Sequence, residues 1–126
     1  MLKSITPNLM VENVEETVEF YETNLGFSKV NSVQNIEGGL QFAIIAKDNL
    51  LIMFQEKNNF ILEYPVLNTQ VVHPSISLYI ETQDLHKIYE HLKEKVEIYH
   101  DIHTTFYGKN EFAIIDNNGY ILTFTE

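Results

Sequence analysis

Two stretches of this chain write nearly the same hairpin. Phe42 to Glu56 reads FAIIAKDNLLIMFQE and Phe112 to Glu126 reads FAIIDNNGYILTFTE; at an offset of seventy, Phe42, Ala43, Ile44, Ile45, Phe54 and Glu56 meet identical residues. Between the apolar runs, Lys47-Asp48-Asn49 and Asp116-Asn117-Asn118-Gly119 supply residue types that tolerate left-handed backbone angles, so each copy reads as strand, turn, strand. Two copies at this period are too few and too widely spaced for a solenoid. The expectation is two like modules packed as one domain.

The likeness extends upstream of each hairpin. NLMV leads to Asn13, a good helix N-cap with Glu16 at the capping-box position, and Val14, Val18, Tyr21 and Leu25 recur at helical spacing until Gly26. SISLYI leads to Thr82, followed by Leu85, Ile88, Tyr89 and Leu92 at the same kind of spacing. The predicted class is α+β, a tandem repeat within one domain of residues 1–126: module one at 1–56, a connector at 57–72 containing Pro65, and module two at 73–126.

Strand alternation sorts the side chains by face. Leu9 and Val11 oppose Thr6, Asn8 and Met10; Leu50, Ile52 and Phe54 oppose Leu51, Met53 and Gln55. In the second copy Ile76, Leu78 and Ile80 oppose Ser75, Ser77 and Tyr79, and Tyr120, Leu122 and Phe124 oppose Ile121, Thr123 and Thr125. One face is core, expected to pack on the two helices. The other mixes hydroxyls, amides, thioethers and an aromatic ring.

Composition narrows the function. A chain of 126 residues, 44% hydrophobic, can bury a core, and its formal net charge of −10 repels phosphate backbones, so nucleic acid is not an expected partner. No apolar run reaches the roughly 18 residues a membrane helix needs, and the N-terminus lacks a secretory signal pattern; a cytoplasmic location is expected. With no cysteine, thiolate ligands and a thiol nucleophile are excluded.

LMVENVEETVEFYETNLGF and YGKNEFAIIDNNGYILTF carry a resemblance to the vicinal oxygen chelate superfamily, which includes glyoxalase I, extradiol dioxygenases, fosfomycin resistance proteins and bleomycin resistance proteins. The first resembles that family's opening strand and helix ending in Leu-Gly-Phe. The second is similar to its closing Asp-Pro-Asp-Gly-Tyr turn, with Asn117 in the usual proline position. The resemblance covers essentially the whole chain and implies βαβββ modules forming a curved mixed sheet around a cleft, often in a homodimer. The mixed face would then line the cleft, with Thr6, Asn8, Met53, Gln55, Ser75, Ser77, Tyr79, Phe106, Tyr107 and Thr123 as the expected ligand-binding residues and Phe60 as a further aromatic near it.

The metal-dependent members hold their ion with His, Gln or Glu, one from each of four strands. The corresponding positions here carry Thr6, Met53, Ser75 and Thr123, none an imidazole or a carboxylate. A hydroxyl and a thioether are poor replacements for a divalent ion's usual ligands. No metal, cofactor or catalytic residue is therefore expected. His100 and His103 read as belonging to an exposed loop, His86 and His91 do not share a helix face, and Gly38-Gly39 reads as a turn or bulge. Glu56 and Glu126 read as solvent-facing strand ends.

The expected function is metal-free binding of a small molecule, an antibiotic or another cationic or aromatic ligand, in the manner of the bleomycin resistance branch. The alternative is a metal-dependent lyase, isomerase or dioxygenase using displaced ligands such as His73 and Gln55.

Overall fold

The computed structural model describes residues 1–126, which fall into two compact units, Met1–His73 and Pro74–Glu126. Unit one runs β1 (Asn8–Val11), α1 (Val14–Leu25), β2 (Ser28–Gln34), β3 (Leu40–Lys47) and β4 (Leu50–Glu56), then α2 (Lys57–Glu63) and a 3-10 turn at Pro65–Leu67. Unit two runs β5 (Ser77–Glu81), α3 (Leu85–Leu92), β6 (Glu97–Thr104), β7 (Asn110–Ile115) and β8 (Ile121–Thr125). The sheets have orders β1-β4-β3-β2 and β5-β8-β7-β6. In each, the strand before the helix pairs parallel with the last strand, and the other neighbours pair antiparallel. The chain is thus an α+β fold of two βαβββ modules, each with a mixed sheet.

Local chemistry sets the helix ends. The Asn13 side chain accepts a hydrogen bond from the Glu16 amide at 2.8 Å, and Gly26 takes a left-handed φ of 74° to close α1. The two matched glutamates do lie at strand ends, Glu126 exposed and Glu56 partly so, and each also caps a helix. Glu56 accepts from the amides of Asn58 and Asn59 at 2.7 and 3.1 Å, and Glu126 accepts from the Leu85 amide at 3.2 Å. A carboxylate suits this position because the first amides of a helix lack intrahelical partners.

The apolar faces are buried as the alternation requires. In unit one, Tyr21 is fully buried against Phe27 and Phe54, with ring centroids 5.7 and 5.0 Å away. In unit two, Phe112 stacks on Phe124 at 5.0 Å, and Leu85, Leu92, Ile114 and Leu122 are fully buried. Each such side chain contributes roughly 1.5–3 kcal/mol. Phe60 belongs to this interior rather than to a binding face: it lies buried on α2 and packs on Tyr64.

The identical FAII quartets do not occupy equivalent places. Phe54 pairs with Ala43, whereas its counterpart Phe124 pairs with Phe112, eleven and twelve residues along the chain respectively. The turn through Asp116 and Gly119 takes one residue more than the turn through Asp48, and a one-residue slip sends every side chain to the opposite face. Ala43 and Ile45 are therefore buried in unit one, while Phe112 and Ile114 fill that role in unit two. The structural counterpart of Phe42 is Glu111.

The connector is also more ordered than its weak periodicity suggests. Lys57, the first residue of α2, bridges Glu12 at 3.2 Å and donates to the Gln70 carbonyl, while Glu12 accepts from the Val72 amide at 2.9 Å. His100 and His103 lie in β6 and not in a loop, although both are exposed. Thr6 and Ser75 fall outside the strands, and Ile76 is exposed, so the first and fifth strands begin later than the alternation implied. No helix is long and apolar enough to cross a membrane.

Candidate functional site

Each unit gathers polar side chains on the sheet face away from its helix-packed core. In unit one, Asn8 on β1 and Gln55 on β4 meet: the Asn8 Nδ2 donates to Gln55 Oε1 at 2.9 Å. Gln55 Nε2 donates in turn to Asn59 Oδ1 at 2.7 Å and Glu63 Oε1 at 3.1 Å, both on α2. Gln55 is only 6% exposed, so this chain of amides fixes it. Beside it opens a cavity of about 590 Å³, lined by Asn8, Gln41, Phe42, Gln55, Glu63 and Tyr64 among others. That volume lies in the range of small-molecule sites, roughly 300–1,000 Å³. The other amide atom of Asn8, Oδ1, is buried without a hydrogen-bond partner. Such an acceptor is costly until a donor reaches it.

In unit two, Tyr79 on β5 and Tyr107 in the turn before β7 converge on Glu111, the first interior residue of β7. Both phenols donate to the same oxygen, Glu111 Oε2, at 2.6 and 2.8 Å. Glu111 is 6% exposed. Burial pushes its pKa up, but the hydrogen bonds from Tyr79 and Tyr107 outweigh it, aided by the Thr125 hydroxyl and the charge of His103. The carboxyl is held below its ordinary value and stays ionised. The Thr125 hydroxyl lies beside it, short of full hydrogen-bond geometry. The same Glu111 bond, with burial, pushes the Tyr107 phenol up to about 12.

Of the remaining expected residues, Met53 is the register partner of Asn8, half-buried on the same face, and Thr123 lies between Tyr79 and Ala113. Ser77 shares the face of Tyr79 and is exposed. Phe106 is fully exposed, edge-on to Tyr107 at 5.0 Å. Thr6 and Ser75, outside the strands, are not drawn into either cluster. Sequence reasoning missed Glu111, Asn59 and Glu63. The phenol-rich surroundings of Glu111 were the available signal, since an acid opening a strand otherwise reads as solvated.

The residues that the family resemblance aligns with a metal site have a donor chemistry that does not fit a divalent ion. Thr6, Met53, Ser75 and Thr123 offer three neutral hydroxyls and one thioether, and no group of three or more His, Asp or Glu side chains converges. Gln55 is no freer to serve as a displaced ligand, because both ends of its amide are engaged.

Two βαβββ units in tandem, each with polar groups on its open sheet face, define a protein of the glyoxalase-type fold. The Glyoxalase/Bleomycin resistance protein/Dioxygenase superfamily pattern matches residues 3–124, and the chain belongs to that superfamily. Three solved structures illustrate the shared fold. A protein of unknown function from Agrobacterium tumefaciens is similar with a TM-score of 0.80 at 16% identity, over 100% of this chain and 94% of that one. A glyoxalase-related enzyme from Clostridium phytofermentans gives 0.78 at 18%, over 100% and 95%. TioX from Micromonospora sp. ML1 gives 0.74 at 12%, over 98% of both chains. Comparison with curated proteins finds no significant match.

Proposed function

We propose that this member of the superfamily is a metal-free binding protein for an organic small molecule, as in the bleomycin resistance branch, and that it acts by holding its ligand rather than transforming it. The observation that carries this reading is the donor set: where the superfamily's metal enzymes place ligands, this chain has Thr6, Met53, Ser75 and Thr123. Two further features support it. Unit one offers a cavity of ligand size beside the amides of Asn8 and Gln55, and unit two offers half-exposed tyrosines around an ionised carboxylate. Fixed amide and carboxylate groups beside Phe42, Leu62 and Tyr64 suit a polar organic ligand with an apolar part. The net charge of −10 favours a cationic one, such as a basic antibiotic.

The test is a thermal-shift screen of chelator-treated protein against aromatic and basic compounds. One chemical class should raise the melting temperature in a concentration-dependent way, with about 2.7 kcal/mol of stabilisation at a hundredfold excess over Kd. Loss of every hit on chelation, restored by a divalent metal, would overturn the proposal. A homodimer is part of the same reading, and light scattering in solution tests it.

A further inference from the structure

Glu111 is a charged side chain that the fold hides without a salt bridge; its charged neighbour is His103, its register partner across the β6–β7 ladder. The ion pairs of the protein are Lys57 with Glu12 and Lys93 with Glu90, and neither involves it. What it receives are neutral donors, the phenols of Tyr79 and Tyr107. Burying a carboxylate without a salt bridge is expensive, and a purely structural polar link at this place would be served as well by a neutral amide. Gln55 plays that neutral role in unit one.

The surroundings indicate what the charge is for. Tyr79 and Tyr107 remain 54% and 53% exposed although their hydroxyls point to a buried residue, and Phe106, fully exposed, extends the aromatic surface at 5.0 Å from Tyr107. A carboxylate thus lies at the base of an aromatic rim. Both phenols occupy Oε2, so Oε1 keeps lone pairs to offer a further donor. Carboxylate below and π faces beside it are complementary to a cation that carries N–H groups on an apolar body. An anion would be repelled. A divalent metal would find Glu111 and, across the β6–β7 ladder, His103, too few donors to hold it.

We propose that Glu111, rimmed by Tyr79, Tyr107 and Phe106, is the docking point for an organic cation, a primary ammonium or amidinium-type group on a body that lies against the tyrosine rings. This rests on the reading of the protein as a binder of organic molecules and narrows it to one sign of charge and one anchor.

The experiment compares benzylammonium and benzamidinium with phenylacetate and benzyl alcohol, which match them in size but are anionic and neutral. Binding to the full chain is followed by tyrosine fluorescence and by NMR of the tyrosine rings. The two cations should bind saturably, phenylacetate should not, and Glu111→Gln should weaken the cations at least about tenfold, as removing one member of a buried charge pair does. Near-UV circular dichroism checks that the variant is folded. Should Glu111→Gln fail to fold, Tyr107→Phe supplies the second arm: it keeps the charge and the ring, so cation binding should survive and still exclude phenylacetate. Equal affinity for benzyl alcohol and benzylammonium, no cation binding, or unchanged cation binding in folded Glu111→Gln would each overturn the proposal. Tight binding of neutral aromatics alone would leave the broader reading standing, whereas a requirement for a divalent metal would remove both.

Discussion

Leu122→Ala tests the facing of the last strand, on which both the core and the binding faces depend. Leu122 is fully buried, paired with Ile114 on one side and Leu78 on the other. The substitution deletes three carbons, about 2.4 kcal/mol at ~0.8 kcal/mol each. The residual cavity brings the expected cost into the range of ~2–5 kcal/mol. With an unfolding entropy of about 2.1 cal/mol/K per residue, 3 kcal/mol lowers the melting temperature of a chain this long by roughly 11 °C. The neighbour Thr123 points to the opposite face, where it is half-buried, so Thr123→Ala should cost about 1 kcal/mol or less. Thermal and urea denaturation followed by far-UV circular dichroism read both variants. Equal losses, or a Leu122→Ala melting temperature within about 2 °C of the wild type, would refute the alternation.

Asn13→Ala removes the side chain that accepts from the Glu16 amide and should cost about 1 kcal/mol in urea denaturation. Because the folded Glu111 carboxyl titrates below its ordinary value, its contribution is complete at neutral pH and disappears as pH falls through about 4 and then through the folded value. The difference in urea midpoint between wild type and Glu111→Gln should therefore shrink in acid, and a difference independent of pH would contradict the assignment. Tyr107, raised to about 12, has the opposite sign: its contribution holds below the ordinary tyrosine value near 10 and is lost as pH rises toward 12. Tyr107→Phe should approach wild-type stability over that alkaline range.

The order of elements in each module was legible because hairpin turns and helix caps act locally: Asn13, Gly26, Asp48 and Gly119 each do in the structure what their side chains or φ angles favour. Which residues share a face was legible strand by strand for the same reason. The register between copies was not. It depends on turn length, and the matching FAII letters concealed that Phe42 corresponds to Glu111 and not to Phe112. The anchor of the unit-two site was hidden by that slip. Gln55 was legible as a polar residue on the open face, yet its partners Asn59 and Glu63 lie on a helix whose short apolar pattern, Phe60, Ile61 and Leu62, gives no clear period. Phe60 read as a cleft aromatic for the same reason, since its burial is set by α2 packing.

The central claim is that the protein binds its ligand without a metal, and the most direct measurement is elemental analysis of untagged protein purified without chelator, paired with calorimetric titration of zinc, nickel, manganese and iron(II) into the chain. The expected result is substoichiometric metal throughout and no saturable uptake. One equivalent of any of these ions, retained through dialysis and displaced by mutation at Thr6, Met53, Ser75 or Thr123, would contradict it.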